Sequence, residues 1–343
     1  MQTIWPALRS RWAGGPRMAY RRERWDTPDG DFIDVDWLAG AESAAGAPPG
    51  AAGLLQGASV LPGGREPRAA GSVGAPLLVL FHGLEGDSRS HYAEAFAAWA
   101  RAHGLGFAVP HFRGCSGEIN RAPRAYHCGD FEEIDWILRR FAERSAGSPV
   151  LVVGVSLGGN ALLRWAGEAG ASAGQQASAV AAVCAPLDMA AGGRAIGRGF
   201  NRLVYTRMFL RTLKAKARAK LAQHPGLFDA GRLDAVRDLH DFDDLFTAPL
   251  HGFASADDYW RRAASKPHLA RIRVPALALN ARNDPFVPAA SLPRPGEAGP
   301  CVTLWQPGQG GHAGFAQGGP PGDLSWLPRV VGGWLLAQAG SPP

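Results

Sequence analysis

The chain has 343 residues and 46% hydrophobic content, enough to bury a sizeable core in one large α/β domain or two small ones. Its formal charge of +6 comes mostly from arginine, with neither a helix-turn-helix pattern nor basic residues gathered on one face, so nucleic-acid binding is not expected. No window reaches the ~18 continuous apolar residues of a membrane helix, so no integral membrane segment is expected. The N-terminus also lacks the hydrophobic segment of a secretory signal, and a cytoplasmic location is the expectation.

Residues 1–23 carry Arg, Trp and Pro without periodicity and read as an N-terminal arm, and residues 24–343 read as one domain. Residues 24–37 form two strands around the turn Pro28-Asp29-Gly30, with Phe32, Ile33, Val35 and Trp37 making one buried face against Asp34 and Asp36. Residues 39–76 shift to Gly, Ala, Pro and Ser, cannot build a core, and read as a flexible insertion between hairpin and sheet. The apolar run 77–81 is a strand buried on both faces, and it delivers His82-Gly83-Leu84-Glu85-Gly86. Tyr92, Phe96 and Trp99 mark a helix that ends at Gly104-Leu105-Gly106, before a strand over 107–110. The loop His111 to Glu118 then lies at the C-terminal end of a strand, the edge where ligands collect in open α/β sheets. Phe131, Ile134, Leu138 and Phe141 give the inner face of the next helix.

Pro149 to Trp165 joins a Val-rich strand to a helix through Gly154-Val155-Ser156-Leu157-Gly158. In a G-x-S-x-G elbow the turn is too sharp for flanking side chains, hence Gly154 and Gly158, and it lifts the serine hydroxyl above the sheet. It also aims the unpaired N–H groups of the following helix at the place where an oxyanion forms. Five residues alone arise by chance in a Gly- and Ala-rich chain; the strand before and the packed helix after carry the assignment.

Another buried strand covers 179–185, after which strand patterns vanish from 186 to 272. This helical stretch is expected to lie over the active edge as a lid. Its Phe200, Phe209, Phe246, Phe253 and Trp260 suit either an apolar acyl pocket or packing of the lid onto the sheet. Lys214, Lys216, Arg218 and Lys220 fall at every second position, which spreads them to two sides of a helix, and read as a solvated helix in preference to a membrane-surface or anionic-ligand patch. Strands resume at 275–280 and 301–305, and Leu327, Val330, Val331, Trp334 and Leu335 line a final helix. The fold class is α/β, a mostly parallel central sheet flanked by helices.

A serine hydroxyl needs a base, and the base an acid to fix its tautomer. Asp284 follows a late strand and His312 precedes the last helix, the order Ser, acid, His expected of an α/β-hydrolase fold. Asp188 is the rival acid; Pro285 and Pro288, which stiffen the other loop, favour Asp284. The backbone N–H groups of Leu84 and Leu157 are the candidate oxyanion donors. His82 reads as a loop-fixing hydrogen-bonder, and Cys115 and Ser116 lack an elbow and are not expected to be nucleophiles. The cysteines Cys115, Cys128, Cys184 and Cys301 form no C-x-x-C pair, and no histidine pair has metal spacing, so reduced thiols, no metal and no cofactor are expected.

These motifs together resemble the YheT-like, or AB-hydrolase-4, family of α/β-hydrolase-fold serine esterases. The match runs through Pro28-Asp-Gly-Asp-Phe, His82-Gly-Leu-Glu-Gly, the loop His111 to Glu118, Tyr126-His127, Gly154 to Asn160, Phe242-Asp-Asp-Leu, His251-Gly-Phe, Asn283-Asp-Pro-Phe and Gly311-His-Ala-Gly-Phe. The resemblance implies a charge relay on Ser156, Asp284 and His312 and esterase-type activity on small or lipid acyl esters. Because the resemblance extends to lipases and acyltransferases, the alternatives are an acyl-alcohol O-acyltransferase on the same triad and a non-catalytic acyl- or lipid-binding protein of this fold. The 39–76 segment departs from the family pattern by its length and composition.

Overall fold

The computed structural model describes residues 18–40, 74–318 and 322–340. The expected arm over 1–17 and the bulk of the expected insertion, 41–73, lie outside the described residues. Strands β1 (Tyr20–Asp26), β2 (Phe32–Leu38), β3 (Leu77–Phe81), β4 (Gly106–Pro110), β5 (Val150–Val155), β6 (Ala179–Val183), β7 (Ala276–Leu279) and β8 (Val302–Trp305) form one sheet. Its order is β1-β2-β4-β3-β5-β6-β7-β8. Pairing is parallel from β4 to β8, and the β1–β2 hairpin joins antiparallel to β4. The first strand begins at Tyr20, so residues 20–23, expected in the arm, belong to the sheet.

The strands β3, β5, β6 and β7 are buried along their whole length, as apolar runs must be when helices cover both faces of a parallel sheet. Side chains alternate between two cores. Val79, Phe81 and Val152 face Ile134, Phe141, Leu162 and Trp165, while Leu78, Leu80 and Val153 face Phe96, Trp99, Leu327 and Leu335. The helices that supply these layers are α1 (His91–Ala102), α2 (Phe131–Arg144), α3 (Leu157–Ala169) and the last, α7 (Trp326–Ala339); between α3 and α7 the chain also forms α4 (Met189–Ile196), α5 (Arg207–Gln223) and α6 (Ala256–Ala263), which lie outside the two cores. The last helix approaches α1 so closely that a Cβ at Gly332 would lie 2.4 Å from the Trp99 ring.

The hairpin departs from the expected single buried face, because Asp34 and Asp36 are buried as well. Asp34 accepts a fork of bonds from Arg24, and Asp36 accepts from Arg22, Ser88 and His111. Fully bonded carboxylates tolerate burial where isolated ones do not. Asp31, wholly buried, takes Arg113, the side-chain amide of Asn120 and the N–H groups of Arg121 and Ala122. The loop after β4 is thereby fastened to the hairpin turn.

Among the described residues, the chain between β6 and β7 contains only helical segments and turns, as the loss of strand patterns predicts. They share an apolar cluster that includes Leu210, Leu213, Phe242 and Phe246. The expectation of a solvated basic helix fails at two positions of α5. Lys220 is 2% exposed, its ammonium donating to the carbonyls of Asn120 and Ala122, and Lys216 pairs with Glu85 at 2.7 Å. Residues 216 and 220 are four apart and share the inward face, whereas Lys214 and Arg218 share the other.

Candidate active site

Ser156 occupies the turn between β5 and α3 at φ +54° and ψ −117°, a conformation that a side-chain-bearing residue adopts only where its surroundings hold it there. The glycines beside it are sterically required. A Cβ on Gly154 would lie 2.4 Å from the Gly158 carbonyl oxygen, and one on Gly158 would lie 2.5 Å from that of His82. The elbow is therefore wedged against the loop after β3.

The structure brings Ser156, His312 and Asp284 into one hydrogen-bonded line. Ser156 Oγ is 2.9 Å from His312 Nε2, and His312 Nδ1 is 2.8 Å from Asp284 Oδ2. The other carboxylate oxygen of Asp284 accepts from the N–H groups of Phe286 (2.8 Å) and Val287 (3.3 Å). An acceptor at Nδ1 puts the ring proton there and leaves Nε2 free to take the serine proton. The Phe286 ring packs 4.5 Å from the imidazole. Gly311, at φ +62°, donates its N–H to Asn283 Oδ1, tying the histidine loop to the aspartate loop. Asp188, the rival acid, instead accepts from Ala191 N and caps α4.

Cys184 sits beside this line, with Sγ, a carboxylate oxygen of Asp284 and a ring nitrogen of His312 within 4.8 Å of one another. Burial, reinforced by the Asp284 charge, lifts its thiol well above the ordinary range, so it stays protonated. Burial likewise pushes Cys115 up to about 12, in line with its exclusion as a nucleophile. All four cysteines are free.

Leu84 and Leu157 line the same cleft as Ser156, and among the described residues neither of their N–H groups has an acceptor. Two unpaired amides beside a serine can receive a negative oxygen. The Leu84 loop is fixed from below by His82, whose Nδ1 bonds Gly83 O at 2.8 Å while Nε2 accepts from Phe112 N at 3.1 Å. Burial depresses His82 to about 3, so it stays neutral and acts as the expected loop-fixer. From above, Glu85 at φ +56° bonds both the Tyr126 hydroxyl and Lys216, each at 2.7 Å. Sequence reasoning missed Lys216 and Tyr126 in this role; the four-residue spacing of Lys216 and Lys220 was the available signal.

The cleft encloses about 1010 Å³, its open mouth included, and its wall is mainly apolar, with Met189, Ile196, Leu213, Phe246 and Trp260 from the helical segment. Of the five aromatics singled out there, Phe246 and Trp260 line the cleft. Phe209 packs both within the segment and against the cluster of Phe286 and Val287, Phe253 packs against His127 and Tyr259, and Phe200 is 62% exposed.

A strained serine on a strand-to-helix elbow above a mostly parallel sheet defines a class, and the chain belongs to the α/β-hydrolase family. A model of the alpha/beta hydrolase fold matches residues 76–319. Within the family the chain groups with the YheT-like proteins. It is 37% identical over 315 residues to the Escherichia coli protein YheT, which is named as an esterase, covering 91% of this chain and 84% of that one. It is 26% identical over 324 residues to mouse Phospholipase ABHD3, covering 94% and 73% of the two chains. Est1E from Butyrivibrio proteoclasticus shares the fold, with TM-score 0.53 at 13% identity over 95% of this chain and all of its own.

Proposed function

We propose that the protein is a serine esterase that cleaves carboxylic acyl esters, short-chain or lipid, through an acyl-enzyme on Ser156. The unbroken line Ser156–His312–Asp284 carries this reading. Ser156 Oγ attacks the acyl carbonyl as His312 Nε2 takes its proton, and the N–H groups of Leu84 and Leu157 hold the oxyanion. His312 returns the proton to the leaving alcohol, then activates water to release the acid. Asp284 keeps the imidazole in the required tautomer. The helical stretch over 186–272 serves as a lid on the single hydrolase domain, its apolar wall receiving the acyl chain. The esterase and phospholipase names of the relatives support the same substrate class.

The test is turnover of a p-nitrophenyl acyl ester and labelling by a fluorophosphonate probe. Ser156→Ala is expected to lose at least about 10⁴-fold in kcat and all labelling. Wild-type turnover in that variant overturns the assignment.

A further inference from the structure

The forty residues 189–228 contain nine lysines and arginines and neither aspartate nor glutamate. Four of the nine have partners within the chain: Lys214 on the Val236 carbonyl, Lys216 on Glu85, the exposed Arg218 on Asp234, and Lys220 on two carbonyls. The other five, Arg194, Arg198, Arg202, Arg207 and Arg211, are exposed and form no ion pair among the described residues.

The same stretch holds all four exposed large hydrophobic side chains among the described residues: Phe200 (62%), Leu203 (59%), Val204 (39%) and Met208 (47%). Backbone from residue 199 to 223 is continuously helical, widened by one π-type turn at Arg202–Thr206. Positions 200, 203, 204 and 208 therefore share a face, and Arg207 and Arg211 continue its spacing. The opposite face is committed to the fold. Tyr205 packs 4.5 Å from Phe286, the ring that in turn packs on His312. The exposed face thus lies one layer of side chains behind the catalytic loop.

Apolar side chains clustered on a surface mark an interaction site, and the charge around them selects the partner. A second copy of the chain would bring unpaired arginines against unpaired arginines across a two-fold contact, which repels. A nucleic acid would pair the arginines but leave the four apolar side chains in water. An anionic bilayer surface satisfies both sets, with guanidinium groups on lipid phosphates and Phe200, Leu203 and Met208 in the acyl boundary. We infer that the face formed by residues 199–211 docks on an anionic phospholipid surface, holding the helical segment that walls the cleft against the lipid. The inference goes beyond the esterase reading and does not depend on it, since docking needs no turnover.

The full chain is to be sedimented with vesicles of phosphatidylcholine alone and of phosphatidylcholine with phosphatidylglycerol. The wild type is expected to partition onto the anionic vesicles, to leave them as salt is raised, and to ignore the neutral ones. Arg207→Gln/Arg211→Gln is expected to bind about 30-fold more weakly, and Leu203→Ser/Met208→Ser about tenfold more weakly. Both variants should hydrolyse a soluble p-nitrophenyl ester at the wild-type rate, which shows that they are folded. Equal binding to both vesicle types, or unchanged binding in either variant, overturns the inference. So does a lipid-free dimer that Leu203→Ser/Met208→Ser dissociates, which would assign the face to a second copy. A wild type inert on the soluble ester but bound to anionic vesicles would sink the esterase reading and leave the docking standing.

Discussion

Replacing Asp284 with asparagine is the substitution whose outcome the geometry fixes most tightly. One oxygen of Asp284 accepts two backbone N–H groups, from Phe286 and Val287, while the other faces His312 Nδ1. An asparagine must keep its oxygen on the two amides, because turning it would set an NH₂ against two N–H donors. Its NH₂ then points at Nδ1, which can only accept, so the ring proton moves to Nε2 and faces the serine hydroxyl. The base is blocked although the shape of the site is unchanged. Locking the wrong tautomer costs about 10⁴ in kcat, equivalent to about 5.5 kcal/mol in the barrier. Steady-state hydrolysis of a p-nitrophenyl ester measures it, with KM expected to change little. Asp188→Asn is the companion, expected to keep kcat and to lose at most about 1 kcal/mol of stability as a helix cap. A loss below tenfold in Asp284→Asn, or a larger loss in Asp188→Asn, refutes the reasoning.

Glu85→Gln breaks the ion pair to Lys216 beside the Leu84 amide; kcat is expected to fall about tenfold with little change in KM, less than deletion of an oxyanion donor. An unchanged kcat would mean that the Leu84 loop stands without it. Gly332→Ala drives a Cβ into the Trp99 ring and should cost about 1–3 kcal/mol in urea unfolding, whereas Gly333→Ala, with open space beside it, should be neutral or stabilising. Acid stability follows from the hairpin. Burial raises the pKa of Asp31, Asp34 and Asp36, but hydrogen bonds from arginine, histidine, asparagine and serine side chains outweigh it and hold all three below the ordinary carboxylate range. Between the folded and unfolded pKa values the unfolded chain binds more protons, so this stabilisation is complete above about pH 4 and is lost as pH falls through the folded values. The urea midpoint should drop below about pH 4, and Asp36→Asn should cost about 3 kcal/mol at neutral pH and flatten that slope.

The sheet and the meeting of Ser156, His312 and Asp284 in one hydrogen-bonded line were legible because each rests on local pattern. The continuous apolar runs became strands within one or two residues, and Gly154, Gly158 and Gly311 stand where backbone approach or positive φ requires them. Strand order, the burial of Asp34 and Asp36, and the inward turn of Lys216 and Lys220 were not legible. Alternation marks which side chains share a face but not what lies opposite, and a charged face is buried only if distant segments bring partners to it. For Asp36 those partners come from residues 22, 88 and 111, and for Asp31 from 113 and 120–122.

Two of the buried charges, Asp31 and Lys220, converge on a single tripeptide. At residues 120–122, Asp31 of the hairpin takes the N–H groups of Arg121 and Ala122, while Lys220 of the helical segment takes the carbonyls of Asn120 and Ala122. A carboxylate on the donor side and an ammonium on the acceptor side clamp the same backbone with matched polarity, so both charges can be buried. Four residues beyond the clamp, Tyr126 holds Glu85, and Glu85 follows the Leu84 amide. The hairpin and the helical segment thus meet across one loop that reaches the proposed oxyanion site, through bonds that involve none of Ser156, Asp284 and His312. A disturbance of that clamp should weaken the placement of the Leu84 N–H while leaving the serine–histidine–aspartate line intact.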